Sequence, residues 1–203
     1  MYTDHSGNTQ QAIGDYCICT IPLTVLRNIP SDFSPEMQSA IAGVAYYQVG
    51  KTGLQFNRRF WEEDENIFSG ITYTNQTINQ IWYPSYGYLS NKGVLVSGYH
   101  FAYDGFYSES DAIAIGKLPV DQRISLVLSQ GSKIHPQYND HFENGVSVFW
   151  PNIPYSLGGW SKYTEQTRQQ YYPRLNQPDG NIYLAGEHLS YFTGWIAGAL
   201  ESA

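Results

Sequence analysis

The last stretch of the chain constrains its fold most. Asn181-Ile182-Tyr183-Leu184-Ala185 is a short apolar run that ends at Gly186-Glu187-His188. A second glycine, Gly194, then opens the small-residue run Trp195-Ile196-Ala197-Gly198-Ala199-Leu200. A strand, a glycine turn, a loop and a slim helix form the order in which a fold brings free helix-start amides up to an anionic group. Gly186 permits close backbone approach, Glu187 offers a carboxylate acceptor, and the helix opening near Trp195 offers unpaired amides. An ordinary glycine-rich turn before a packed helix has the same pattern, and the residues alone leave both readings open. A glycine-rich dinucleotide loop, G-x-G-x-x-G, appears nowhere in the chain.

Before that segment the pattern is mostly of strands. Tyr2-Thr3, the turn around Ser6-Gly7-Asn8 and Gly14 to Thr20 read as strand, turn, strand, with Cys17 to Ile21 expected to be buried on both faces. Ser34, Pro35 and Glu36 supply a cap, a first helical residue and a first-turn acid for a helix ending near Ala42 or Gly43. From Val44 to Trp61 the period becomes two. A strand there places Lys51, Gly53, Gln55 and Asn57 on one face and Thr52, Leu54 and Phe56 on the other. Ile78 to Tyr83 and Val94 to Phe101 add strands of an antiparallel sheet. Asp111 to Leu118 and Arg123 to Ser129 are ambiguous, with a helix favoured over Ile124 to Leu128. Thr164 to Tyr172 reads as a polar helix ended by Pro173. The chain therefore opens with a strand of an α/β layer, visits a separate sheet and returns to strand, loop and helix.

Composition narrows the partners. A net charge of −7, with only Arg58-Arg59 adjacent and acids following them, argues against nucleic acid. Sparse charge and abundant tyrosine suit a strand-rich protein with large buried or pocket-facing rings. Cys17 and Cys19 stand one residue apart, which makes a bridge between them geometrically poor. They read as buried strand cysteines, and a reducing compartment is compatible. No apolar run approaches the length of a membrane span. His135, His141 and His188 lie on different elements without carboxylates at ligand spacing, so no metal is expected.

In this order the motifs resemble the flavin amine oxidase family, and within it the L-amino-acid oxidases and bacterial flavin monoamine oxidases. Gly186-Glu187-His188 and Gly194 to Ala199 resemble the family's C-terminal flavin-binding motif. Asp15 to Leu26 resembles the strand and turn leading out of the flavin domain. Gly50-Lys51 to Phe60-Trp61 resembles the strand with the active-site lysine. Trp150, Pro154-Tyr155 and Gly158-Gly159-Trp160 resemble the aromatic segment before the last motif. The likeness spans essentially the whole chain. The final motif is specific, and the others are weak taken singly.

The resemblance implies a mixed α+β or α/β fold. Residues 1–29 become the tail of a Rossmann-like FAD-binding domain, 30–130 an inserted, mixed-antiparallel substrate domain, and 131–203 a return to the FAD domain, with the N-terminal dinucleotide-binding βαβ missing. It implies FAD held by Gly186, Glu187, Trp195, Ile196 and Ala197. It places substrate against Tyr83, Trp160, Gly194 and Trp195, while Trp82, Tyr86 and Tyr88 read as packing. It makes Lys51 the catalytic residue, holding a water for oxygen reactivity or imine hydrolysis and not for the hydride step. A lysine in a strand is otherwise a solvent-facing or edge residue.

The expected activity is oxidative deamination of an L-amino acid, with oxygen reduced to hydrogen peroxide. The alternatives are an amine or polyamine oxidase, an amino-acid 2-monooxygenase, or a non-catalytic subunit needing a partner chain. The expected partners are an amino acid or amine and an upstream polypeptide carrying the dinucleotide-binding half, with homo-oligomers possible through an exposed apolar face. The compartment is not encoded in these residues, and the cytoplasm is the default.

Overall fold

Local side chains set the first elements. In the computed structural model, which describes residues 1–102 and 107–203, β1 (Tyr2–Thr3) and β2 (Thr9–Gln10) form a hairpin. Asp4 Oδ1 accepts from the amides of Ser6 and Asn8, both at 2.9 Å, and so fixes the turn. The strand expected over 14–20 shortens to β3 (Cys17–Cys19). Of its three residues Cys19 alone is buried, while Cys17 on the same face and Ile18 on the other are exposed, Ile18 by 72%. After α1 (Leu23–Leu26) comes α2 (Pro35–Gly43), capped as expected by Ser34, whose Oγ accepts from Met37 N at 3.3 Å.

The long period-two run breaks into β4 (Ala45–Tyr46), β5 (Gly50–Phe56) and the helical turn α3 (Phe60–Glu63). Then follow β6 (Ile71–Tyr73), β7 (Gln80–Trp82) and β8 (Gly93–His100). The ambiguous segments are both helical, α4 (Glu109–Gly116) and α5 (Val120–Gly131), separated by Pro119, which stands at the α5 N-cap. The remaining elements are α6 (Tyr138–His141), β9 (Phe142–Phe149), β10 (Ser161–Lys162), α7 (Glu165–Leu175), β11 (Ile182–Leu184) and α8 (Ile196–Glu201). Pro173 does not end α7, which runs on to Leu175. A proline in the last turn forfeits a single helical amide, and Asn176 N still reaches Tyr172 O at 3.2 Å.

These elements divide into two compact units, Met1–Ala45 with Trp160–Ala203, and Tyr46–Gly159. The boundaries read from the sequence fall inside them. Helix α2 packs on α7, which draws 30–45 into the first unit, and β9 pairs along all of β5, which draws 131–159 into the second. In the first unit, β3 and β11 form a two-stranded parallel ribbon, Cys17 opposite Ile182 and Cys19 opposite Leu184. Ser34 N and Oγ donate to the Asp179 carboxylate at 2.7 and 2.8 Å, and Arg174 pairs with the same group.

The second unit is a five-stranded antiparallel sheet in the order β6-β7-β8-β5-β9. One face carries the core: Leu54, Phe56, Ile81, Tyr83 and Leu95 gather with Phe60, Trp61, Ile78, Val127 and Tyr138. The architecture is thus mixed α/β with open sheets. Among the described residues, no helix is long and apolar enough to cross a membrane.

Candidate functional site

The other face of the five-stranded sheet carries Lys51. Pairing places Lys51 opposite Tyr99 and Val148, Gly53 opposite Val96 and Val146, and Gln55 opposite Val94 and Asn144. The face read from alternation is therefore present, except that Asn57 lies beyond the end of β5. The Lys51 ammonium lies 4.5 Å from the centre of the Tyr99 ring, a cation–π contact. Lys51 keeps solvent-exposed area, yet the surrounding sheet desolvates its amine and lowers its pKa below the ordinary lysine value.

Trp82 belongs to this face and Tyr83 does not. Trp82 pairs with Val96, and its ring meets Tyr99 edge-on at 5.9 Å, with Nε1 donating to Gln80 Oε1 at 2.7 Å. Tyr83 points the opposite way into the core, 3% exposed. Its hydroxyl hydrogen-bonds to His135 Nε2 at 2.6 Å and Thr72 Oγ1 at 2.8 Å, and His135 Nδ1 contacts Glu65 Oε1 at 2.9 Å. A substrate-lining role for Tyr83 does not fit that burial, and Trp82, read from the sequence as packing, occupies the open face instead. Pairing decides the facing: Trp82 lies opposite Val96, which lies opposite Gly53 on the Lys51 face, so the next residue in the alternation, Tyr83, turns to the core.

In the first unit the glycine segment has a built frame. Gly186 has φ +144°, and a Cβ there would lie 2.7 Å from His188 Cε1, so the glycine makes room for that ring. His188 is buried, its Nε2 has no hydrogen-bond partner among the described residues, and burial depresses its pKa to about 4. Tyr163 Oη donates to His188 O at 2.8 Å, Tyr172 Oη to Leu189 O at 2.7 Å and Arg168 Nη1 to Ser190 O at 3.2 Å. The Arg168 guanidinium itself sits among the rings of Tyr163, Tyr172 and Tyr191. Sequence reasoning passed over this cluster, although the spacing of Tyr163, Arg168 and Tyr172 around a helix start was a visible signal.

Glu187, Gly194 and Trp160 come together. The Glu187 carboxylate accepts from Ser161 N at 3.0 Å, Ser161 Oγ at 2.9 Å and Gly194 N at 3.0 Å. Trp195 is 70% exposed, and Ile196 and Ala197 are also exposed. The amides of Ile196 and Ala197 reach no acceptor among the described residues. No group of three or more His, Cys, Asp or Glu is arranged to hold a metal among those residues.

The model of the flavin-containing amine oxidoreductases matches residues 2–203. The chain belongs to this family. It is 31% identical to the flavin-dependent L-tryptophan oxidase RebO of Lentzea aerocolonigenes, over all of this chain and 42% of that protein. It is also 31% identical to the putative L-amino-acid oxidase YobN of Bacillus subtilis, over 93% of this chain and 39% of that protein. The chain thus spans about two fifths of the length of these relatives. Cyclohexylamine oxidase from Brevibacterium oxydans superposes with a TM-score of 0.76 at 14% identity, over 97% of this chain and 42% of that structure. Putrescine oxidase with bound putrescine gives 0.73 at 16% identity, over 92% and 40%.

The family is one of oxidoreductases, and its cofactor is FAD. Unspent amides at Ile196 and Ala197, on a helix kept slim by Ala197 and Gly198, fit the anionic edge of such a group. The helix has only six residues, so the amides matter more than its dipole. Gly186 offers no empty cradle, because His188 fills the space beside it.

Proposed function

We propose that this chain is part of an FAD-dependent oxidase that deaminates an L-amino acid. The observation that carries the reading is the start of α8, where the amides of two exposed residues have no acceptor among the described residues. The net reaction converts the amino acid, oxygen and water to a 2-oxo acid, ammonia and hydrogen peroxide, with FAD supplying the two-electron acceptor. The Ile196 and Ala197 amides stabilise negative charge on the bound group. Trp160, Gly194 and Trp195 wall the substrate and exclude water. Lys51, its amine partly desolvated, exchanges a proton with water during oxygen reduction or imine hydrolysis. Trp82, on the Lys51 face, is the better candidate for a substrate-side ring than Tyr83.

The preference for an L-amino acid over a plain amine rests on the names of the sequence relatives. The test is to offer the purified full-length protein L-tryptophan, other L-amino acids, putrescine and cyclohexylamine, and to follow flavin bleaching and peroxide. Bleaching by L-amino acids alone is expected, and bleaching only by the amines moves the reading to an amine oxidase. Lys51→Met should slow flavin reoxidation roughly 100-fold with little change in reduction. Trp82→Ala should raise KM, whereas Tyr83→Phe should leave it unchanged.

A specific observation favours a companion polypeptide as well. Strands paired in parallel are normally covered on both faces, yet Ile18 and Tyr183 of the β3–β11 ribbon are exposed. A segment bearing further parallel strands and the dinucleotide-binding loop would cover them. The 203-residue chain alone should then bind FAD poorly and associate with rising concentration. Stoichiometric FAD on a stable monomer of it would sink this second reading.

A further inference from the structure

Lys51 has an aromatic partner where an acid would be the ordinary one. Its ammonium lies 4.5 Å from the centre of the Tyr99 ring, and the two residues stand directly opposite each other on β5 and β8. Val148 flanks Lys51 from β9, and among the described residues no carboxylate pairs with it. Glu143 and Lys92 meet at Gln55, near the other end of β5, and pair with each other. A carboxylate beside Lys51 would hold it charged, whereas an apolar wall withholds water and favours the neutral amine. The ring does some of each: its π face attracts the ammonium, and its bulk shuts water off one side. Burial prevails, since the Lys51 amine lies below the ordinary lysine pKa.

The Tyr99 ring is itself held in place. Tyr99 N donates to Ile78 O at 3.0 Å, Trp82 meets the ring edge-on at 5.9 Å, and Phe101 lies against it at 4.7 Å with the planes tilted by 45°. Its hydroxyl, by contrast, has no hydrogen-bond partner among the described residues, and burial raises its pKa. A buried tyrosine usually gives its hydroxyl a partner, so at this position the ring is the part in use. Strand pairing, and not a mobile loop, sets the distance between ring and amine. The ring also leaves no charge behind: when the ammonium gives up its proton, no unpaired anion remains beside it.

We infer that Tyr99 is a positioning residue for Lys51: its ring, and not its hydroxyl, holds the ammonium over the open sheet face and shields it from water on that side. The hold stands on the geometry of β5 and β8. Its effect on turnover rests on the proposed function, in which Lys51 exchanges a proton with water. An ion pair in the same place would keep that proton on the lysine, and the ring lets it go.

The experiment follows acetylation of Lys51 by acetic anhydride against pH in the full-length, flavin-containing protein, read by mass spectrometry of the Lys51 peptide. Wild type is compared with Tyr99→Phe, Tyr99→Met and Tyr99→Ala, and flavin reoxidation by oxygen is timed in each. Phe keeps the π face, so the labelling midpoint should stay and reoxidation should remain within about twofold. Met keeps apolar cover without a π face, so the midpoint should move down. Ala opens the amine to water, so the midpoint should move up towards the ordinary lysine value and reoxidation should slow about tenfold. Midpoints equal to wild type in both Met and Ala overturn the hold. A shift in Phe as large as that in Ala assigns the role to the hydroxyl and overturns it too. If Tyr99→Ala does not fold, Met against Phe decides. Shifted midpoints with unchanged reoxidation overturn the effect on turnover and leave the hold. If the wild-type protein is reduced by no amine or amino acid, the proposed function fails, and the labelling still judges the hold.

Discussion

In Tyr46–Gly159 one face of a sheet is sealed by a single apolar cluster around Leu54, Phe56, Ile81 and Leu95, joined by Phe60, Trp61 and Tyr138. In the other unit, the loop that carries Glu187 is held by hydrogen bonds from Ser161, Tyr163, Arg168 and Tyr172. Apolar burial is non-directional and leaves the opposite sheet face free to carry Lys51, Trp82 and Tyr99. Hydrogen bonds each contribute less to stability but fix atoms to within tenths of an ångström. The first unit therefore concentrates on placing a loop, and the second on supporting a surface.

Phe56→Ala tests the sealed sheet most severely. Phe56 is fully buried, with ring centroids 5.2 Å from Phe60, 5.9 Å from Trp61 and 4.8 Å from Tyr138. Its truncation should cost about 3–5 kcal/mol in denaturant unfolding. A loss well under ~2 kcal/mol would show that the cluster is not the main support.

The same unit contains a buried ion pair that apolar reasoning alone would miss. Arg59 and Glu62 pair with side chains 2% exposed each, and Arg59 holds the Glu62 carboxyl below its usual pKa. Arg59 Nη1 also donates to Tyr86 O at 3.3 Å, and Leu89 N donates to Glu62 Oε2 at 3.2 Å, so the pair shapes the loop after β7. Glu62→Ala leaves a buried guanidinium unpaired and should cost about 3 kcal/mol, most of it recovered in Arg59→Met/Glu62→Leu. Equal losses in the single and double variants would deny that the uncompensated charge is the cause.

Acid should strain both units alike. His100 and His188, one in each, are held neutral by burial with pKa values lowered from 6.5 to about 4. The unfolded chain takes up protons from pH 6.5 downward while the folded one does not. The stability contributed by each neutral ring is therefore complete above pH 6.5 and falls between pH 6.5 and 4, by up to about 3 kcal/mol per histidine. Unfolding measured across that window should flatten stepwise in His100→Asn and His188→Asn. An unchanged slope in either variant would clear that histidine.

The smallest of these effects belongs to the hydrogen-bonded unit. Arg168→Ala removes contacts with three tyrosine rings and the bond to Ser190 O, and should cost about 1–2 kcal/mol. Amide exchange should speed across 188–190 and stay constant in β5. Faster exchange in β5 as well would mean that the two units do not hold their shape independently.

Much of this was legible locally. The Ser34-Pro35-Glu36 start of α2 followed from capping chemistry, because a cap interacts only with its own helix. The placement of Lys51 with Gly53 and Gln55 followed from alternation within a single strand. The choice between Trp82 and Tyr83 was not legible. β7 has three residues, too few for periodicity, and its facing is decided by pairing with Val96, itself opposite Gly53. Nor were the donors to Glu187, since only the fold brings Ser161 and Gly194 near it.

The sequence by itself determined the family, the closing strand–glycine–helix order and the open lysine face, because each rests on contiguous residues or a regular period. Only the tertiary structure decided that Tyr83 is core, that Cys19 alone of Cys17 to Ile21 is buried, and that α2 and β9 belong to different units from those their positions suggested. It also decided that Ser161 and Gly194 donate to Glu187. Register, burial and hydrogen-bond occupancy are relations between remote segments, and no local pattern carries them.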